Sequence, residues 1–404
     1  MAKAGLPTPD PDDDGLKLPP GFHAMVVADN LGMLRFLAVA DNGDLYARHN
    51  NILALRDTKG DGHFDVIQTF GVNGGKGQSG TGLTLWHGYL YYSNQNSVYR
   101  YKMVPGQLVP TGQPETIVKD LPFSDGHEAK SITFDEAGNM YIDVGSYMNV
   151  YSTGDRGFGA KGMDATEFLK THGGIWRFKS DAQNQTQADG YHFSTGERHC
   201  IAIAMSPVSK LLFAVQMGRD NLNDVDPTDY TAEDNADGPA EEMHLLKDGV
   251  NFGWPYTYWD PRKNAHMIAP EFGGDNKKQA PPGKYDDPVI AFPGHWAPLQ
   301  MMFYTGTQFP EKYRNGAFIA FHGSWDRTPL PQGGYNIVFV PFDSKGMPVG
   351  TYEVFADNFA GVPVIKTPHQ AKYRPAGVAQ GPDGSLYVSD TVKGRIWRIF
   401  YTGK

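Results

Sequence analysis

The sequence is poor in cysteine, in long apolar runs and in positive charge. Its one cysteine, Cys200, excludes an intramolecular disulfide and any zinc cluster built on several thiolates, and reads as a small buried residue. No apolar stretch approaches the ~20 residues that cross a bilayer as a helix, and nothing at the start reads as a signal peptide, so no membrane is expected as a partner. Lysine and arginine number 36 against 45 aspartates and glutamates, a net charge of −9. That excludes nucleic acid as a partner of the surface as a whole, and any anionic ligand must be held by a local group of cations. A phosphate loop is missing too. Residues 71–82 are rich in glycine and carry Lys76 and Gln78, but no Gly-Lys-Ser/Thr ending leads into a helix.

Turn formers and aromatics are abundant: 48 glycines, 29 prolines and 13% aromatic residues suit a turn-rich all-β chain with a large core. Residues 372–399 show the organising unit, a short apolar run (Gly377, Val378, Ala379), a turn (Pro382, Asp383, Gly384) and a return strand (Leu386, Tyr387, Val388). The unit recurs at residues 35–47 and 131–142, and more loosely near residues 82–92, 201–215 and 316–320, which makes six copies. Six repeats of this kind predict a six-bladed β-propeller of four-stranded antiparallel blades, a single domain over residues 18–404. Residues 23–28 are expected to supply the outer strand that closes the ring. The Pro/Asp-rich residues 1–17 read as a linker or excision scar.

Three other stretches admit two readings each. Asp57, Asp61 and Asp65 alternate around Gly62 as in a calcium loop, but Lys59 and Gln68 stand at ligand positions, which favours a plain solvated turn. The acidic residues between 219 and 237 suit a solvated loop or, less commonly, a lid. The aromatic run at 252–259 suits a sugar platform or simply core.

Just ahead of each inner strand the repeat places Gln78, His127, Arg198 with His199, and Lys372 with Arg374. Arg35 lies nearby in the first unit and Arg327 follows a sixth strand. In a propeller these tips converge on one mouth, where gathered cations repel one another unless an anion fills the space. Arginine forks suit carboxylates. Lys372, Tyr373 and Arg374 are expected on the rim and not in the apolar core. His127 leads directly into a clean strand and is the candidate general base.

Seven stretches in order, Gly77-Gln78, Gly126-His127, Gly196-Glu197-Arg198-His199, Gln216-Met217-Gly218-Arg219, Asn251-Phe252-Gly253-Trp254-Pro255, His322-Gly323-Ser324-Trp325 and Tyr373-Arg374-Pro375-Ala376-Gly377, resemble the soluble quinoprotein sugar dehydrogenases. That superfamily of six-bladed propellers binds pyrroloquinoline quinone (PQQ) and calcium. The resemblance implies oxidation of a pyranose or related sugar, with His127 as base and Gln78 and Arg198 as catalytic neighbours. Arg35, Arg198, His199, Arg327, Lys372 and Arg374 would hold the quinone, and the backbone carbonyls of Gly218 and Arg219 would hold Ca²⁺; a second ion at Asp57, Asp61 and Asp65 is the less favoured reading of that loop, taken from its spacing alone. It also implies a secreted, monomeric module whose electrons pass to a cytochrome b domain. Ser146 departs from the aspartate that orients the base in the glucose enzymes. Arg219 replaces a proline and His199 an asparagine, which together argue against glucose as the preferred substrate. Two competing readings remain. A calcium-dependent lactonase or esterase would need a cage of carboxylate and amide oxygens at the axis, and a carbohydrate-binding propeller would leave the arginines without a purpose.

Overall fold

Alternating apolar residues broken by glycine turns fold into antiparallel hairpins, and the computed structural model, which describes residues 6–71, 80–123, 127 and 129–403, contains six four-stranded sheets. Blade I comprises Leu37–Val39, Leu45–Arg48, Ile52–Arg56 and Val66–Phe70, and blade II Leu83–Trp86, Tyr89–Ser93, Val98–Lys102 and Glu115–Val118. Blade III follows with Ile132–Phe134, Asn139–Val144, Gly174–Lys179 and Tyr191–Thr195. Blade IV uses Ala202–Met205, Leu212–Gln216, Glu241–Leu246 and Ile290–Phe292, and blade V Pro298–Phe303, Gly316–Phe321, Asn336–Pro341 and Glu353–Ala356. Blade VI joins Pro375–Gln380, Leu386–Asp390 and Ile396–Tyr401 to the N-terminal strand Phe22–Ala28, whose Phe22 pairs with Tyr401 and Met25 with Arg398. The predicted closure of the ring by the first strand is therefore present.

The innermost strands of successive blades touch all the way round. Two glycines permit this: a Cβ on Gly377 would lie 2.4 Å from the Arg35 carbonyl, and one on Gly82 2.6 Å from the Lys130 carbonyl. Gln300 bridges the axis, its carboxamide oxygen accepting from the Leu37 and Val378 amides at 2.9 and 3.0 Å and its Nε2 donating to the Leu37 carbonyl at 2.9 Å. Between blades V and VI, Phe22, Phe309, Phe318, Phe355 and Trp397 pack edge to face in the largest apolar cluster. Each such side chain contributes roughly 1.5–3 kcal/mol by leaving water.

Two α-helices, Leu222–Val225 and Ala232–Asp237, are the only ones among the described residues, and none is long or apolar enough to cross a membrane. Between its third and fourth strands blade IV makes an excursion over residues 247–289. It climbs parallel to the edge of blade III, with Phe252 N–H donating to Thr195 O at 3.1 Å and Trp254 N–H to Gly196 O at 3.0 Å. Phe252, Trp254, Tyr258 and Trp259 are all buried there, so the aromatic run is core and not a sugar platform.

Two expectations are corrected. Gly316–Phe321, which carries the loose repeat copy at 316–320, is the second strand of blade V, so that copy does not begin on an inner strand. The inner one, Pro298–Phe303, begins with proline and carries a register shift, which hid it from the alternation pattern. Tyr373 is buried in the core edge-on to Trp397, not on the rim. Residues 10–17 also lie against blades V and VI: Lys17 exchanges both backbone hydrogen bonds with Asp357, just past the outer strand of blade V, and the Asp14 carboxylate accepts from Arg395 Nη1 at 2.6 Å and Trp397 Nε1 at 2.8 Å in the closing blade.

Candidate active site at the propeller mouth

Every inner strand runs the same way, so the residues just ahead of it gather at one end of the axis: Arg35, His127, Arg198 with His199, His295 and Arg374. Gln78 and Lys76 lie outside the described residues. The missed member is His295, hidden because the strand behind it was missed. Counting one tip per blade would have found it.

His127 is half-buried, and its Nδ1 makes a short hydrogen bond to the Ser146 backbone carbonyl. A carbonyl only accepts, so Nδ1 carries the proton and Nε2 keeps its lone pair. The Ser146 peptide is itself fixed, its N–H donating to Arg198 O at 2.9 Å, while the Ser146 hydroxyl bonds the Met148 backbone at 3.0 Å and never reaches the histidine. The orienting role that the sequence left without a holder thus falls to a main-chain oxygen. Burial first, then the neighbouring Arg198 and His199, hold the His127 imidazole well below its usual range, so it is neutral at pH 7.

Beside it lies a polar knot centred on Asp220. This carboxylate accepts from Arg156 Nη1 at 2.7 Å and Arg198 Nη2 at 3.0 Å, and meets His295 Nδ1 at 3.1 Å. His295 Nε2 donates to Asn235 O at 2.8 Å, so both ring nitrogens are donors and the ring is an imidazolium. Burial opposes that charge, but the hydrogen bond and charge of Asp220 win and raise His295. Burial likewise works against the Asp220 anion, yet Arg198, His295 and Arg156 together hold its carboxyl far below the ordinary range. Asp220, His295 and Asp326 bring ligand-type atoms within 4.8 Å of one another, but the two arginines and the imidazolium already claim Asp220, leaving no cage for a cation.

The third group is Arg374, Arg35 and His322. Arg374 donates from Nε to His322 O at 3.1 Å and from Nη2 to Gly323 O at 2.7 Å, and its guanidinium lies 5.4 Å from the Tyr335 ring centre. Among the described residues no carboxylate pairs with it. Burial first, then the charges of Arg374 and Arg35, push His322 well below its usual range. The charges of Arg374 and Arg35 thus meet on one side of the mouth, where an added anion is favoured. Trp325, in the same loop, is 53% exposed, with the Arg156 guanidinium 5.9 Å from its ring centre.

Several predicted site residues stand elsewhere or are spoken for. Arg198 is 3% exposed and spends its guanidinium on Asn149 O, Gly218 O and Asp220, so it braces the mouth and does not neutralise a cofactor. Arg327 binds the carbonyls of Ala236 and Gly294 and the Asp237 carboxylate; it follows a second strand and so left the ring of tips. Lys372 is exposed and lies over Tyr373, together with Lys393 and Arg395, away from the ring that carries Arg374. His199 faces Asp143 and His127. The Arg219 side chain is buried against Glu271 at 2.7 Å. Asp57, Asp61 and Asp65 give their oxygens to the loop's own Gly60, Gly62, His63 and Thr58, so the turn reading holds and no second calcium cage forms. The acidic stretch is neither free loop nor lid: Asp234 caps a helix and pairs with Arg262, and Asp237 pairs with Arg327.

The six-bladed fold is shared with solved carbohydrate-active and sugar-dehydrogenase structures. The chain belongs to the TrAA12-like family, whose profile matches residues 16–402. A Trichoderma reesei carbohydrate-active enzyme of family AA12 superposes with a TM-score of 0.77 at 19% identity, covering 96% of this chain and 98% of that one. The PQQ domain of the Coprinopsis cinerea pyranose dehydrogenase, in its holo form, gives 0.73 at 18% identity, over 95% and 97% of the two chains. In sequence, the Coprinopsis cinerea PQQ-dependent pyranose dehydrogenase is 29% identical over 193 residues, 41% of this chain and 25% of that protein. An uncharacterised protein of Borreliella burgdorferi is 26% identical over 400 residues, 96% of this chain and 91% of the relative.

Proposed function

We propose that this chain oxidises a pyranose or a related sugar with PQQ held in the axial mouth, and passes the electrons singly to a separate acceptor such as a cytochrome b domain. The observation that carries the reading is the Arg374 and Arg35 charge gathered beside a His322 held well below its usual range, at the same mouth as a base whose Nδ1 is fixed by the Ser146 carbonyl. The donor set suits a flat tricarboxylate: Arg374, with Nε on the His322 carbonyl and Nη2 on the Gly323 carbonyl, brings its positive charge and its Nη1 edge to a carboxylate, and the exposed Trp325 face suits a planar ring. When bound, the quinone supplies the acceptor for the hydride that leaves the sugar carbon. His127 Nε2 takes the proton of the sugar hydroxyl, the Ser146 carbonyl holds the ring in the tautomer able to do so, and the carbonyl-bound Arg198 keeps the surrounding loops in place.

Calcium, which the resemblance implies at Gly218 and Arg219, does not fit these residues as they stand. Arg198 Nη1 already occupies the Gly218 carbonyl at 2.8 Å. A unit charge about 4 Å from that guanidinium is repelled by about 4 kcal/mol at an effective dielectric of 20, and a divalent ion by about twice as much. No step is therefore assigned to an ion. Protein stripped with EDTA and then loaded with quinone alone is expected to turn over at the untreated rate, and recovery of activity only on adding Ca²⁺ would show that Arg198 gives way.

The pH profile follows from the same field. His127 is held down, so the neutral base persists below pH 6.5 and the acid limb of turnover should fall at or below that value; a limb centred above 7 would contradict it. Unfolded, His127 and His322 bind protons that the folded protein refuses, so thermal stability of the quinone-free protein should also decline as pH drops through that range. The function itself is tested by adding PQQ and a panel of sugars and following dye reduction. Lactone cleavage without dye reduction would move the chain to the hydrolases, and sugar binding with neither reaction would make it a binding module.

A further inference from the structure

Behind the base lies a second buried pair that the proposed mechanism does not use. Asp143, in the second strand of blade III, is fully buried, and its Oδ1 accepts the Cys200 amide at 3.1 Å. Its Oδ2 lies 2.8 Å from His199 Nδ1 without the geometry of a hydrogen bond, and both side chains are almost sealed from solvent. The His199 ring leans against His127, with centres 4.8 Å apart and planes 30° apart. Gly145 makes the contact: a Cβ there would lie 2.4 Å from His199 Nδ1 and 3.3 Å from His127 Cβ, so both rings are clamped on one peptide that no side chain can enter.

The other groups facing the pair are accounted for. Glu197 accepts from Ser194 Oγ at 2.6 Å, and burial pushes it up to about 8, so it is protonated and uncharged at neutral pH. Arg198 is tied to Asp220. Of the side chains around the pair, His199 is the one that meets Asp143 Oδ2.

We propose that Asp143 is a positioning residue for the oxidation: its carboxylate abuts His199 at Nδ1, and His199 in turn fixes the plane of the His127 ring that receives the hydroxyl proton. The structure thereby replaces a carboxylate placed directly on the base with one placed a histidine further back. This rests on the reading of His127 as the base, so one of its tests needs no quinone.

Asp143→Asn keeps the shape and the oxygen that accepts from Cys200, and His199→Gln keeps a hydrogen-bonding side chain against Asp143. Each is expected to lower kcat about tenfold in quinone-loaded protein, with KM within about twofold, a loss typical of misaligned general-base groups. Because His199 is one of the groups holding His127 down, His199→Gln should also move the acid limb of kcat to higher pH. In quinone-free, nitrogen-15-labelled protein, the His127 ring resonances should shift in both variants while the melting profile stays cooperative. Folded variants with native kcat, an unmoved acid limb and unchanged His127 resonances would overturn the proposal. If Asp143→Asn does not fold, His199→Gln decides alone. If the native protein reduces no dye with any sugar, the mechanism fails on its own, and the resonances still decide whether Asp143 fixes His127.

Discussion

His127→Ala is expected to cut sugar-dependent turnover of the quinone-loaded protein by about two orders of magnitude or more while leaving quinone affinity within about twofold. The size follows from its position. It offers an accessible ring nitrogen with a lone pair kept free, since Nδ1 is committed to the Ser146 carbonyl, whereas His295 has both nitrogens donating and His322 is bound through Nε2 to Thr391 Oγ1 at 2.8 Å. Water entering the gap would find no partner able to accept the hydroxyl proton in the same place. Dye-reduction kinetics at saturating sugar, paired with a quinone titration, read the two quantities separately. Turnover within tenfold of native would remove His127 from the chemistry, and lost affinity with native turnover at saturation would make it a cofactor ligand instead.

Arg374→Ala is expected to act on the other quantity, weakening quinone binding by about one to two orders of magnitude, because a hydrogen-bonded charged pair is worth roughly 1.5–3 kcal/mol and each 1.4 kcal/mol is tenfold. Turnover at saturating quinone should stay near native. Arg374→Lys keeps the charge but not the fork, and should recover only part of the loss. Arg327→Ala is the control. Its guanidinium serves the Ala236 and Gly294 carbonyls and Asp237, so it should lower the melting temperature without changing quinone affinity. Equal loss from both variants would mean that the positive field at the mouth, and not Arg374 itself, does the holding.

The propeller was legible in the sequence because strand, glycine turn and return strand repeat, and the turns demand positive φ at positions such as Gly43, Gly138 and Gly384. It failed where a strand broke its own pattern. Pro298–Phe303 has a leading proline and a bulge, so Arg327, which follows the next strand, was grouped with the tips and His295 was passed over. His127, Arg35 and Arg374 could be placed because phase along a repeat converts directly to position around an axis. What the tips bond to could not be read this way. Which partners an arginine takes depends on loops that carry no periodicity: Arg198 and Arg327 bind a carboxylate as well as main-chain oxygens, whereas Arg374 binds main-chain oxygens and, among the described residues, no carboxylate. The orienting group for His127 was hidden for a related reason: every residue has a carbonyl, so no residue type announces the one at Ser146.

The account stands on a polyanionic quinone being gathered by cations at the axis, and calorimetric titration of the quinone-free protein with PQQ at low and high salt tests that most directly. It predicts one equivalent bound, an affinity that weakens as salt rises, and a marked loss in Arg374→Ala but not in Arg327→Ala. No saturable uptake, or uptake indifferent to both salt and Arg374, would contradict it.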